Sequence, residues 1–338
     1  MATVEIILTG PSGDNPLGFL CALGALRTLS NAWPDAEVKM KWQQIPLQSV
    51  QANFGLQEPD AEVKMKWQQI GTPWRPVLRA SHANLDDKEE AGQKQVVVNA
   101  IFNELKNMDD WHPAKKWQDT HNIKPEDYRG YSLQAQDRLF DPRDHRSAEW
   151  AATIACDAII RDKAVEDTAF RTMSGQGHQH FLKQIKSLKE KIQVSHLEEA
   201  LFGPWQYKDD KLNLRLDPTE DRRHALRWKS PDKDPIKTVW GANCLAAEGL
   251  PMYPVFPQGR RLRTVGFRGN SKDAVFWTWP IWNAFADVSL TRSLLALPAL
   301  QADRPARAEL SPLGIVEVYR AQRILIDRYR VFTMGQPH

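Results

Sequence analysis

Hydrophobic and polar positions divide the chain into three textures. Val4 to Leu8 is a short β-type run, and Thr9-Gly10-Pro11-Ser12-Gly13 punctuates it. Asp14 or Asn15 can cap the helix that follows, which holds Pro16 in its first turn. From Leu17 to Ser30 that helix is apolar nearly all round in its first half. Gly18, Ala22, Gly24 and Ala25 interleave with the large residues, so another element can approach closely. Next, the twelve residues Pro34 to Ile45 recur unchanged at Pro59 to Ile70, an offset of 25. Val38, Met40 and Trp42 alternate with Lys39, Lys41 and Gln43, so each copy reads as a half-buried strand. A repeat array needs three or more units, so an undiverged pair reads as a recent local duplication or an artificially introduced copy. One copy holds the strand and the other goes with the linker Pro46 to Glu58; the sequence leaves open which is which.

The middle of the chain is helical in pattern. Asn84 to Arg129 is polar, with Val96-Val97-Val98, Ile101, Phe102 and Leu105 marking an apolar face. A charged loop, Asp137 to Arg146, precedes an expected helix from Ser147 to about Asp162. Phe181 to Ile192 is amphipathic, and His196 to Leu201 is a short helix stopped by Phe202-Gly203-Pro204. Beyond Trp205 strands dominate. Leu212 to Leu216 alternates, and Gly249 to Pro257 reads as non-helical. Arg261 to Phe267 and Ala274 to Pro280 flank the turn Arg268 to Ser271 as a hairpin would. Leu290 to Leu297 is a short helix, and Gly314 to Arg320 and Ile324 to Val331 are closing strands. The sum is an α+β protein, with mixed sheet elements at the N-terminus and in the C-terminal third around a helical middle. Its expected parts are 1–83, 84–205 and 206–338.

Charge sharpens this division. Residues 1–217 carry 27 Lys and Arg against 31 Asp and Glu, whereas residues 218–338 carry 18 against 11, and 14 of those 18 are arginine. An arginine-biased last third suits a polyanion. Three cysteines, Cys21, Cys156 and Cys244, lack C-x-x-C spacing, which argues against a disulfide framework and a zinc knuckle. No apolar run reaches the roughly 18 residues of a membrane span, and Met1-Ala2-Thr3-Val4-Glu5 does not resemble a signal peptide. A reducing cytoplasm is the expected compartment, with no membrane partner. The 13 tryptophans are expected mainly as core or interface anchors.

Two segments carry candidate chemistry. Gly259 to Lys272 interleaves basic and aromatic residues. In a strand Arg261 and Arg263 share one face, and arginine's planar fork suits a phosphate backbone. Arg260, Arg261, Arg263, Arg268 and Lys272 are expected backbone contacts, with Asn270 or Gln258 as base-edge readers. In Arg171 to His180 a glycine-rich turn runs into a helix, so free N–H groups there suit an anion, with His178 and His180 as further phosphate contacts. A His-x-His pair also ligates a metal if a third ligand comes from Asp141, Asp144 or His145. The plain alternative is that Ser174 or the glycines cap the helix. Asp217 to His224 reads as a turn and helix start whose acids and arginines pair with each other. No G-x-x-x-x-G-K-[ST], G-x-S-x-G or H-E-x-x-H occurs, and no cofactor is expected.

The segment Leu8-Thr9-Gly10 with Asn15 to Arg27 resembles the "PL-x-x-L-x-A-L-G-x-L-R" start of large-subunit-type proteins of type I-G (formerly I-U) CRISPR systems. Gly241 to Pro254, followed by the arginine hairpin and Phe276-Trp277-Thr278-Trp279-Pro280, is similar to the same group. The resemblance covers about a quarter of the chain, and the chain is short for a full large subunit. It implies a non-catalytic large-subunit-like or accessory subunit of an RNA-guided surveillance complex. Its partners would be target DNA, guide RNA, other subunits and a recruited helicase-nuclease, with base pairing reading the sequence. Two other readings stay open. One is a metal-dependent nuclease or phosphoesterase using His178 and His180; the other is a protein–protein adaptor that touches no nucleic acid.

Overall fold

A computed structural model describes residues 3–46, 72–108, 110, 112–117, 122–139, 145–173, 180–220, 237–269, 274–326 and 329–338. The protein is α+β. Strand β1 (Thr3–Ile7) leads into helix α1 (Pro16–Ala32), and strands β2 (Glu37–Gln44) and β3 (Trp74–Ser81) follow. The sheet order is β1-β3-β2, antiparallel throughout. Asn15 is the cap of α1: its Oδ1 accepts from the N–H of Leu17 at 2.8 Å and of Gly18 at 3.1 Å. Of the duplicated pair, the first copy forms β2, with Val38, Met40 and Trp42 buried as their alternation requires. The second copy lies outside the described residues.

The helical middle comprises α2 (Glu90–Lys106), α3 (Pro113–Lys116), α4 (Pro125–Arg138) and α5 (Arg146–Ile154). Helix α5 ends eight residues before the expected Asp162. Strand β4 (Ala155–Arg161) replaces its last turns and pairs with β5 (Ala164–Asp167). Asp162 and Lys163 join them with φ of 50° and 64°, the doubly left-handed turn that suits a two-residue hairpin. β-branched Ile159, Ile160 and Val165 favour strands, and that pairing outweighs the helical reading. Helices α6 (Phe181–Lys191) and α7 (Val194–Phe202) follow, the latter closed by Gly203 at φ 62°.

After the two-residue strands β6 (Asp209–Asp210) and β7 (Lys237–Thr238) comes α8 (Trp240–Gly249). Residues 212–216 form no strand. They are buried, and Leu214 donates its N–H to Asn243 Oδ1 at 2.8 Å. The stretch expected to be non-helical holds a 3-10 turn, Leu250–Met252. The expected hairpin is also divided differently. Strand β9 (Arg261–Thr264) folds back on β8 (Val255–Gln258), and of the expected first arm the short β10 (Phe267–Arg268) alone pairs with β11 (Val275–Trp282), whose other edge takes a later strand. Gly266 separates them at φ 79°, with the Trp277 indole 3.2 Å from where a Cβ would stand. Helices α9 (Val288–Leu295) and α10 (Arg307–Leu310) precede β12 (Ile315–Ile326), which runs unbroken past the expected stop at Arg320. Strands β13 (Tyr329–Phe332) and β14 (Gln336–Pro337) both pair with β12.

One hydrophobic cluster runs through all these parts. At its centre α1 lies on α8. A Cβ on Gly24 would stand 1.7 Å from the Leu245 carbonyl oxygen, so the backbones are in direct contact. Around Phe19 gather Trp42, Trp277, Trp279 and Trp282, all buried. The Trp279 and Trp282 indoles donate to Gly13 O at 2.8 Å and Met40 O at 2.9 Å, which satisfies those two buried donors. Among the described residues no helix is long and apolar enough to cross a membrane.

Candidate nucleic-acid interface

A groove of 530 Å³ opens where three hairpins meet: β4–β5, β8–β9 and β12–β13. Each sets its arginines by register. In β8–β9, Gly259 takes φ 59° and with Arg260 makes a two-residue turn, so Gln258 faces Arg261 and Phe256 faces Arg263. Cross-strand partners share a face. Phe256, Gln258, Arg261 and Arg263 therefore stand together, and the Phe256 ring is 44 % exposed. In β12–β13, Arg323 pairs with Phe332 and Leu325 with Arg330. Arg323 and Arg330 are then diagonal neighbours on one face. From β4 comes Arg161, just before the Asp162-Lys163 turn.

Specific bonds fasten the hairpins to one another. The Leu262 N–H donates to Glu166 Oε2 at 2.9 Å, and Arg161 pairs with the other oxygen of that carboxylate at 3.2 Å. The Thr264 hydroxyl accepts from the Ala169 N–H at 2.8 Å. Arg263 donates to Gln258 Oε1 at 3.0 Å and Gly269 O at 2.6 Å. Arg323 donates to Ala169 O, and Arg330 donates to Arg171 O at 3.3 Å. Arg171, behind them, pairs with Asp167. Burial, then the charge of Arg330, push the guanidinium pKa of both Arg171 and Arg323 down to about 10. Burial lowers that of Arg330. Arg171 and Arg323, depressed by the charge of Arg330, gain from an anion brought among them.

The hairpins spring from helices held by a buried ion network. Arg27, 1 % exposed, sends Nε and one terminal nitrogen to Glu149 Oε2 on α5, at 2.9 and 2.6 Å. Its other terminal nitrogen reaches Glu248 Oε2 on α8 at 2.7 Å. Lys189 holds Glu248 Oε1 at 2.7 Å, and Arg292 holds Glu149 Oε1. Burial would lower the pKa of Arg27, but Glu149 and Glu248 raise it above the ordinary guanidinium value. Burial would raise the pKa of Glu248, but Lys189, His112 and Arg27 hold it well below the usual carboxylate range. Since α5 continues into β4 and α8 leads to β8, this network fixes the roots of two groove walls.

Of the expected contacts, Arg261 and Arg263 line the groove. Arg260 is exposed at the turn tip. Gln258 accepts from Arg263. Arg268 turns away, donating to Gln301 O at 2.8 Å and pairing with Asp303 at 2.6 Å. Asn270, Lys272 and His178 lie outside the described residues, as do Ser174, Asp141, Asp144 and residues 221–224. Asp217 is buried and accepts from the Tyr207 hydroxyl and the Thr219 N–H. His180 caps the start of α6, without a side-chain cap bond, and lines a separate void of 30 Å³ with Trp150, Arg171 and Phe181. Among the described residues no group of three or more His, Cys, Asp or Glu side chains is placed to hold a metal. Arg161, Arg323 and Arg330 are groove residues that the local reading did not find. The only hint was a basic residue at alternate positions near the closing strands.

No family model matches this chain, and no curated protein and no solved structure matches it.

Proposed function

We propose that this protein is a non-catalytic nucleic-acid-binding subunit of a type I CRISPR RNA-guided defence complex. In that role it contacts target DNA or guide RNA beside its neighbouring subunits and presents a surface to the helicase-nuclease. The observation that carries nucleic-acid binding is the convergence of Arg161, Arg261, Arg263, Arg323 and Arg330 on one groove from three separate hairpins. Guanidinium forks at that density match successive phosphates. The exposed Phe256 ring beside Arg263 adds a face on which a base can stack. The family assignment rests on the two segments named above. The cytoplasm, which keeps free thiols such as Cys21 and Cys244 reduced, is the compartment of this reading.

The test is a mobility-shift titration of the purified chain on labelled duplex and single-stranded DNA at several salt concentrations, with manganese present. Each sample is split between native and denaturing gels. The expected result is a salt-sensitive shift of intact DNA. An Arg261→Ala, Arg263→Ala double variant should weaken it and reduce the salt slope by about 2, one per lost phosphate contact. Manganese-dependent cutting would instead favour the nuclease reading. A partner-binding activity that is insensitive to salt, without any DNA shift, would favour the adaptor.

A further inference from the structure

A second groove, of 690 Å³, shares no lining residue with the arginine groove. One wall is α2, and the other is the end of α1 with the 3-10 turn Ala83–Leu85. Asn99, Asn103 and Asn107 line it at intervals of four along α2 and its C-terminal cap, and Asn84 lines it from the turn. All four are exposed. Asn99 Oδ1 accepts from Gln95 at 3.2 Å, a bond that uses neither of its own N–H donors. Among the described residues the carboxamides of Asn84, Asn103 and Asn107 have no partner. Asparagine is a poorer helix former than the lysine, glutamate or glutamine that suits an exposed helical face, so this row gives α2 no stability of its own.

The lining narrows the choice of ligand. Its charged residues are Asp86, Glu104 and Lys88, and Glu104 is paired with Arg146. Two carboxylates and one ammonium offer a phosphate no attraction. The one aromatic lining residue, Trp33, is 6 % exposed, and the His82 ring is stacked on it at 4.4 Å and 14°. Little ring is left on which a sugar or a base could stack. What the groove does offer is a row of neutral groups, each both donor and acceptor. A peptide main chain offers the same pair, one N–H and one C=O at each residue.

From the spacing and the chemistry of this row we infer that Asn99, Asn103 and Asn107 form a docking ladder for an extended peptide segment of a partner protein. The periods agree. Four residues of helix rise about 6 Å, and the i, i+4 row runs slightly oblique to the axis. Two residues of extended chain advance about 6.4–6.8 Å, and residues two apart turn their N–H and C=O to the same edge. Each carboxamide therefore meets the main chain of every second peptide residue. Recognition of this kind reads conformation more than sequence, since the side chains of the peptide point away from its hydrogen-bonding edge. Asn84 bonds the peptide from the other wall. The inference is independent of the nucleic-acid reading, and a chain that binds no nucleic acid could still carry it.

The test is selection from a displayed library of random linear peptides of about nine residues, longer than the row spans. The full chain is the bait, and the Asn103→Ala, Asn107→Ala double variant is the counter-bait. Alanine favours the helix, so the variant should unfold at the temperature of the wild type or above it. A peptide enriched on the wild type should bind the variant about tenfold more weakly, the scale of two neutral hydrogen bonds. Single N-methyl groups placed along that peptide should then divide by parity. Alternate positions lose about tenfold and the positions between them less than about twofold, because only every second N–H faces the row. No enrichment over the variant overturns the docking site. Equal loss at both parities overturns the ladder. Loss of single-stranded DNA binding in the double variant would give the row to nucleic acid and overturns the peptide.

Discussion

Two places in this molecule bury arginine, and they do so in opposite ways. At the α1–α8 crossing, Arg27 lies between Glu149 and Glu248, with Lys189 and Arg292 completing the carboxylates. Every charge faces its opposite, and the pKa of Arg27 is raised. At the groove, burial and the charge of Arg330 lower Arg171 and Arg323, burial lowers Arg330, and Arg171 pairs with Asp167. The same side chain is a structural pin in one setting and a binding group in the other. The difference lies in whether the fold itself supplies the counter-charge.

The largest expected effect comes from breaking the balanced site. Glu248→Gln would leave Arg27 and Lys189 buried beside a neutral amide, a loss of about 3–5 kcal/mol in urea denaturation. A loss below about 1 kcal/mol would show that the network contributes little beyond packing. Gly24→Ala attacks the same place from the backbone. Its methyl group collides with the Leu245 carbonyl and must separate the helices that let Arg27 reach Glu248, costing about 1–3 kcal/mol. The balanced site also sets an acid limit. Glu149 and Glu248 titrate lower in the folded chain than their ordinary 4.5. The unfolded chain therefore takes up their protons first, and this part of the stability is complete above about pH 4.5 and lost as pH falls through the lower folded values. A pH series of thermal unfolding should show Tm falling below that point, and less steeply in Glu248→Gln.

The unbalanced site should respond in the opposite sense. Arg323→Gln removes a cation that its neighbour repels, so stability should stay within about 0.5 kcal/mol of wild type or rise. Its affinity for nucleic acid should fall about tenfold, the scale of one charge-assisted contact. Stability and binding moving down together would place Arg323 among the structural arginines. The smallest effect belongs to the turn tip. Arg260→Ala, exposed and outside the groove lining, should change affinity less than about threefold, the scale of a rim charge.

Local chemistry made part of this legible. The cap Asn15-Pro16, the small residues of α1, the Gly203 stop and the alternation of β2 are all written in short windows, and the structure uses each of them. Arg261 and Arg263 were legible for the same reason, since two residues apart in one strand is a local fact. The rest of the groove depends on register between distant strands. Nothing near Arg330 states that it will lie diagonal to Arg323, because the pairing of Leu325 with Arg330 decides it. The failure at 155–161 has the same root: Ala155 to Arg161 fits a helix until the partner strand after Asp162-Lys163 is considered. Arg27 and Glu248 obey the same rule of distant pairing. Each ends an apolar helical stretch, and only the crossing of those stretches makes them partners.

The duplicated segment bears on the history of the N-terminal sheet. Gln44 is paired with Trp74, and Ile45 donates its N–H to Pro73 O, so β2 and β3 are a hairpin whose ends already meet. Removing residues 46–70, one repeat length of 25, would join Ile45 to Gly71 and leave Ile45-Gly71-Thr72-Pro73 as the connection. Four residues is an ordinary length for a β-hairpin loop. The β2–β3 hairpin would therefore close without the 25 residues that carry the second copy.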